Sequence, residues 1–118
     1  MRIQEAIAEF RQAAIAKAEF AQPAGRDHAL HAAMSAAWRE LEAHGDEGRR
    51  AFRSMLSDES PHVRCWVASQ LLALGDYSGL EVLEESAASG GLRGLSSTSV
   101  LEEWRAGRLG PPLGNLGT

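Results

Sequence analysis

Cysteine, lysine and tyrosine are nearly missing from this sequence. It contains one cysteine, Cys65, one lysine and one tyrosine among 118 residues. A single cysteine cannot form a disulfide within the chain, so the sequence predicts a protein of a reducing compartment such as the cytoplasm. The patterns Cys-x-x-Cys and His-Glu-x-x-His are also absent, which gives no support to a zinc site, and no cofactor is expected.

Long hydrophobic runs are missing as well. No apolar run approaches the ~20 residues that a membrane-spanning helix needs. The opening residues, MRIQEAIAEFRQ, carry acids early and lack a continuous apolar core, so they do not fit a signal peptide. No membrane is expected among the partners.

Positive charge is not in excess. The formal net charge is −4, and arginine supplies eleven of the twelve basic residues. A mildly acidic protein gains nothing from a phosphate backbone, so nucleic acid is a disfavoured partner unless the arginines cluster on one face. Arg49, Arg50 and Arg53 form such a basic run, and nucleic-acid binding through this helix face is the alternative function.

Alanine and leucine dominate the composition, and β-branched residues are sparse, which favours helix over strand. The pattern predicts an all-α chain with one domain over residues 1–109 and a Gly/Pro-rich tail over 110–118. Apolar periodicity and capping residues predict six helices, over Ile3 to Ala21, from an Asp27 cap to Gly45, from Asp46 to about Leu56, from Ser60-Pro61 to Gly75, from Asp76 to Ser89, and from Ser96 or Ser99 to Gly107. The stretch GGLRGLSS, Gly90 to Ser97, is interpreted as a glycine-rich turn before the sixth helix. The sequence leaves open whether the tail docks on its own chain or on a second copy.

Each of the three tryptophans, Trp38, Trp66 and Trp104, stands in an apolar helical stripe and is expected to be a core wedge between helices. Gly45-Asp46 and Gly75-Asp76 each end one helix and begin the next, about thirty residues apart, as in helix-pair repeats. Six helices with short links then predict three antiparallel pairs stacked into a short superhelical slab.

The segment from Asp58 to Gly75 resembles a HEAT repeat, whose second helix reads V-R-x-x-A-A-x-A-L-x-x-L-G. The residues that match this pattern are Val63, Arg64, Ala68, Leu71, Leu74 and Gly75. Val67 and Gln70 stand where alanine is usual. With WRELEAHGDEGRRAF and LEEWRAGRL, the segment makes about Asp27 to Leu109 similar to a small bacterial family of HEAT-like α-α superhelical proteins of unknown function.

The resemblance implies a fold and one ion pair, but no activity. In HEAT-type repeats, an acid in the turn and the arginine after valine often pair across repeats, and Asp58 and Arg64 occupy those places here. A structural role for this pair is expected. Small acidic helical proteins of this type also look like immunity proteins of bacterial toxin systems, an analogy of fold and size.

Candidate chemical groups are few. His28 and His31 stand three residues apart, but a zinc site needs three or four ligands, so no metal is expected. His62 and Cys65 have the same spacing, and a thiolate–imidazole pair would also need an orienting group and an oxyanion site, which the sequence does not supply. A deep pocket that encloses His62 and Cys65 together would support the third possibility, a small enzyme.

The sequence therefore predicts a non-catalytic protein that binds another protein. The sharper hypothesis is an immunity-type protein that neutralises a bacterial toxin. The sequence does not predict the oligomeric state. The candidate partner-binding residues are the polar residues expected to be exposed on the second helix of each pair and an acidic patch suited to a basic partner. They are Arg39, Glu42, Ser69, Gln70, Glu81, Glu84 and Glu85.

Overall fold

The computed structural model describes residues 2–19 and 24–114, and the regular secondary structure of this part of the chain is all helical, with no strand. The side chains of residues 18, 19 and 24 are not among those described. The six helices are α1 (Ile3–Glu19), α2 (Ala24–Ala43), α3 (Asp46–Ser54), α4 (Pro61–Ala73), α5 (Leu80–Ser89) and α6 (Gly91–Arg105). Two 3₁₀ turns, Met55–Ser57 and Tyr77–Gly79, follow α3 and precede α5. The predicted all-α class is confirmed, and the predicted end of the first helix at Ala21 lies outside the described residues.

Helix α4 begins and ends where its sequence predicts. Ser60 is extended at the N-cap, and Pro61 occupies the first turn, where its missing N–H removes no hydrogen bond. The chain leaves the helix through Gly75, whose φ of 90° is readily adopted only by glycine.

Helix α2 begins at Ala24, four residues before the start that an Asp27 cap would give, and Asp27 does not cap it. Asp27 lies in the first turn, and its Oδ1 accepts a hydrogen bond from Lys17 Nζ of α1 at 2.6 Å. This charge-assisted bond lowers the pKa of Asp27 below its ordinary value. The Asp27 carboxylate therefore links α1 to α2 and does not cap the start of α2.

Helix α6 begins at Gly91, well before the predicted Ser96 or Ser99. Gly90 and Gly91 have φ values of 77° and 73°, so the chain reverses within these two residues. Gly94 then allows α6 to approach α5, since a Cβ at this position would lie 3.2 Å from the Ser86 carbonyl oxygen. The predicted start was wrong because glycine was taken as a helix breaker, whereas here it permits close packing.

The core consists of two hydrophobic clusters that α4 joins. The first is built mainly from α1, α2 and α3, and α4 adds Val63, Val67 and Leu71 to it. The second lies against α5 and α6, and α4 adds Ala68 and Leu72. The Cα radius of gyration is 13.5 Å, which matches the ~13.5 Å expected of one compact domain of this length.

Helices pack as antiparallel pairs, most extensively α1 with α2 and α5 with α6. Helix α4 contacts α1, α3, α5 and α6, so it occupies the centre of the molecule. No helix in the described ranges is long and apolar enough to cross a membrane.

The chain after α6 returns to the core. Leu113 is 1% exposed and belongs to the first hydrophobic cluster. The Leu113 amide donates to Gln70 Oε1 at 2.8 Å, and Gln70 Nε2 donates to the Gly114 carbonyl at 2.9 Å. His31 Nε2 lies 2.7 Å from the Pro112 carbonyl, to which it must be the donor, because a carbonyl only accepts. The described part of the tail therefore docks on its own chain.

Candidate functional site

A partly open cleft lies where α4, α5 and α6 meet. Its volume is about 280 Å³, slightly below the ~300 Å³ at which small-molecule pockets usually begin. The apolar wall consists of Trp66, Leu83, Leu92 and Val100, and the polar lining residues are His62, Cys65, Ser69, Arg93, Ser96 and Ser97. Among the described residues, no Asp or Glu lines this cleft.

Three polar side chains form a hydrogen-bonded group at the cleft. The Cys65 thiol donates to Ser86 Oγ at 3.4 Å, and the Ser97 hydroxyl donates to the same oxygen at 2.7 Å. Ser86 and Ser97 are buried between α5 and α6. Hydroxyl groups are not bases at neutral pH, so these contacts do not activate the thiol for nucleophilic attack.

The condition stated for an enzyme, a pocket that holds His62 and Cys65 together, is met in part. Both residues line the cleft, but it is half open, and the described partners of Cys65 Sγ are hydroxyls. Nor do residues 2–19 and 24–114 bring together three or more His, Cys, Asp or Glu side chains that could hold a metal ion. The cleft offers binding groups more than catalytic ones.

Arg93 is the permanently charged group of the cleft. Its Nε atom is buried and has no hydrogen-bond partner, a state that it shares in the described chain with Trp38 Nε1. Arg93 and Cys65 also line a neighbouring cavity of about 120 Å³, together with Glu85, but no ion pair between Arg93 and Glu85 is described. The Arg93 side chain therefore lines both cavities, and its Nε–H makes no hydrogen bond with the described residues.

Two large apolar side chains at the start of α6 are exposed. Leu92 is 85% exposed and Leu95 is 67% exposed, and their spacing places them on one face of the helix. Leu92 also lines the cleft. Because single exposed leucines are common, it is the pairing beside an apolar cleft that makes this face notable.

The predicted interface residues do not form one surface. Arg39 is exposed and Glu42 is half-buried, with Glu42 Oε2 accepting from Arg49 Nε at 3.1 Å. The expected exposure of Ser69 and Gln70 is wrong. Gln70 is 0% exposed, because its amide holds the returning tail, and Ser69 is buried against the cleft.

The predicted acidic patch lies on the surface. Glu81, Glu84 and Glu85 are all exposed on α5. Their spacing of three and four residues places them on one side of the helix. A basic partner surface would complement this patch.

The arginine run that carried the nucleic-acid alternative is largely neutralised. Arg49 pairs with Glu42 and with Asp46, and Arg53 contacts Asp76 Oδ2 through two nitrogens at 2.9 and 2.8 Å. An arginine that is already paired with a carboxylate has less charge to offer a phosphate. The geometry therefore does not favour this alternative.

The predicted Asp58–Arg64 pair has a different form. Arg64 donates to the Asp58 backbone carbonyl at 2.7 Å, whereas the Asp58 carboxylate binds Arg11 of α1, with Nε to Oδ1 at 2.6 Å. The Ser60 amide also donates to Oδ2 at 2.9 Å. The hydrogen bond from Arg11 is the main reason that the pKa of Asp58 lies below its ordinary value.

The tryptophans have unequal environments. Trp38 is buried in the first cluster, whereas Trp66 and Trp104 are half-buried and pack against the first and second clusters. The ring centroids of Trp66 and His31 are 5.5 Å apart, and Lys17 Nζ lies 5.7 Å from the Trp66 ring centroid. Trp104 packs edge-to-face against Tyr77. Trp66 thus has one role in the core and another in the cleft.

Arg93, Leu92 and Leu95 were missed by the sequence prediction. All three lie in GGLRGLSS, which was interpreted as a glycine-rich turn before the sixth helix. Leu92 and Leu95 are three residues apart, a helical spacing, but Leu101 and Trp104 lie on another face of α6, so the apolar stripe of the helix does not include the two leucines. The three glycines at positions 90, 91 and 94 made a helix over this stretch hard to predict.

Comparison of the chain with protein-family models, with curated proteins and with solved structures found no match in any of the three.

Proposed function

We propose that this chain is a non-catalytic protein-binding module whose contact surface is the exposed apolar face of α6 at Leu92 and Leu95. The observation that carries the proposal is the exposure of these two leucines, side by side on one helix. Burial of two leucines contributes ~1.5–3 kcal/mol each to association, enough to make them the centre of an interface.

The charges around this face define the partner further. Glu81, Glu84 and Glu85 are exposed on α5, which packs against α6. A partner with an apolar centre and basic residues at its rim would therefore complement the surface. This surface replaces Ser69 and Gln70, which are buried, and retains the acidic residues of the predicted interface.

The narrower form of the proposal is a HEAT-like superhelix that acts as an immunity-type protein and neutralises a bacterial toxin. It is supported by the small size, the net charge of −4 and the antiparallel helix pairs, which are features of such proteins by analogy. If it holds, a toxin gene adjoins the gene for this chain, and co-expression restores growth. A neighbouring gene whose product is harmless in the absence of this chain would contradict the immunity role.

The test uses photo-crosslinking in the cell of origin. A photoreactive phenylalanine analogue at Leu95 is expected to crosslink one discrete protein, and the same analogue at Leu74, an apolar residue of lesser exposure, is not. The purified partner is then expected to bind the Leu92→Glu, Leu95→Glu double variant at least tenfold more weakly than the unaltered chain. Equal affinity for both would remove this face from the interface.

A further inference from the structure

The cleft between α4, α5 and α6 has a chemistry of its own, apart from the exposed leucine pair. One part of its lining is apolar, from Trp66, Leu83 and Val100. Another part is polar and carries the side chain of Arg93 together with serine hydroxyls. An interior that combines an apolar wall with a few converging polar groups is the usual form of a small-molecule site.

Arg93 differs from the arginines that have structural roles. Arg11 and Arg53 each bind a carboxylate of the same chain, Asp58 and Asp76. Arg93 has no described ion pair, and its Nε is buried without an acceptor. The Arg93 guanidinium also carries Nη donors, and a ligand carboxylate in the cleft would supply an acceptor of opposite charge for them.

The charge inside the cleft agrees with an anionic ligand. No carboxylate from the described residues lines it, although the whole chain is acidic. Glu85 lines the neighbouring cavity, to which Arg93 and Cys65 also contribute. The hydroxyls of Ser69 and Ser96 also line the cleft. They could therefore donate hydrogen bonds to a ligand carboxylate that is bound to Arg93.

We propose that this cleft binds a small apolar carboxylate, with its carboxylate on Arg93 and its aliphatic or aromatic part between Trp66, Leu83 and Val100. The volume of about 280 Å³ limits the ligand to a short chain or a single ring system. The proposed binding is non-covalent and uses the charge of Arg93 and the apolar lining of the cleft. Leu92 belongs both to the cleft and to the proposed protein interface, so ligand binding is tested on the chain without a protein partner.

The test is a titration of the full chain with octanoate, followed by amide NMR spectroscopy. Saturable shifts are expected at Ser69, Arg93 and Ser97, and octanamide, which has the same apolar part without the charge, is expected to bind roughly tenfold or more weakly. Shifts that do not saturate, or that spread over the whole surface, would overturn the proposal. Equal binding of octanoate and octanamide would do so as well.

Two variants assign the charge contact to one residue. Arg93→Gln is expected to weaken octanoate binding roughly 10- to 100-fold and to leave octanamide binding unchanged. Arg105→Gln, an exposed arginine at the other end of α6, is the matched control and is expected to bind octanoate normally. Unaltered octanoate affinity in folded Arg93→Gln would remove the proposed contact.

A third variant addresses the apolar part of the site without touching the charge. Val100→Phe adds volume to the apolar lining of the cleft and leaves Arg93 and the serine hydroxyls in place. It is expected to weaken octanoate and octanamide alike, by tenfold or more, because the added side chain occupies the space of the ligand. Full affinity of this variant for both compounds would place the ligand elsewhere.

Discussion

At the scale of single residues, Asp58 joins three parts of the chain. Its carboxylate accepts hydrogen bonds from Arg11 of α1 and from the Ser60 amide, and its carbonyl accepts one from Arg64 of α4. The sequence predicted a structural role for Asp58 and Arg64 but paired their side chains. It could not show that Arg11, which is 47 residues away, competes for the carboxylate, because only packing of α1 on α4 brings them together.

Replacement of Asp58 by Asn is therefore expected to lower the free energy of unfolding at pH 7 by about 2 kcal/mol, since a charge-assisted bond to Arg11 is lost. The pKa of Asp58 is lowered in the folded state. Its contribution is hence fully present above the unfolded-state pKa of about 3.9 and is lost as the pH falls through the folded-state value.

Urea unfolding at pH 7 and at pH 3 measures this effect, and the difference between Asp58→Asn and the unaltered chain is expected to shrink at the lower pH. Asp46→Asn is the control, because Asp46 is exposed and its contact with Arg49 is long, at 3.4 Å. A difference for Asp58→Asn that is the same at both pH values would contradict the role of its charge.

At the scale of elements, the tail after α6 is held by one buried amide. Gln70 satisfies the Leu113 N–H and the Gly114 carbonyl at once. The sequence predicted the tail as a separate segment and left its docking in cis or on a second copy open. The Gly/Pro composition carries no period, so its attachment could be known only from the contacts of Gln70 and Leu113.

Replacement of Gln70 by Leu is expected to lower the free energy of unfolding by roughly 3 kcal/mol, because it leaves two buried backbone groups without partners. Hydrogen exchange of the Leu113 amide is expected to accelerate far more than that of amides within α1. Gln12→Leu, on the exposed face of α1, is the control and is expected to leave this amide protected. Persistent protection of Leu113 in Gln70→Leu would show that the tail is held by other contacts.

Helix α6 shows where element prediction failed. The glycines at 90, 91 and 94 were interpreted as a break, although the last of them lies inside the helix. Glycine is weakly disfavoured in helices, and the close approach to Ser86 outweighs that local preference. The error also concealed Leu92, Arg93 and Leu95, on which both proposals depend.

At the scale of the whole molecule, α4 belongs to both hydrophobic clusters. One face contributes Val63, Val67 and Leu71 to the first cluster, and another contributes Ala68 and Leu72 to the second. Leu56 packs against both. Neither cluster keeps its full set of contacts if the other unfolds, so the chain is expected to unfold as one unit.

Two single-tryptophan proteins test this expectation. One retains Trp38 in the first cluster and the other retains Trp104 beside the second, with phenylalanine at the remaining two positions. Each protein's urea midpoint from fluorescence is expected to coincide with its own midpoint from circular dichroism, which reports on all helices. A Trp104 transition that precedes the loss of total helix would show that the α5–α6 pair unfolds independently.

The sequence alone determined the helical class, the position of α4 and most helix ends, because these follow from local rules: apolar spacing, Pro61 at a helix start, and Gly75 beyond a helix end. Tertiary structure decided which polar groups are buried and which apolar ones are exposed. Gln70 is buried and Leu92 is exposed. Their burial depends on which surfaces the other helices and the tail cover, and those segments are distant in sequence. The candidate site depends on such coverage, so it could not be predicted from local patterns.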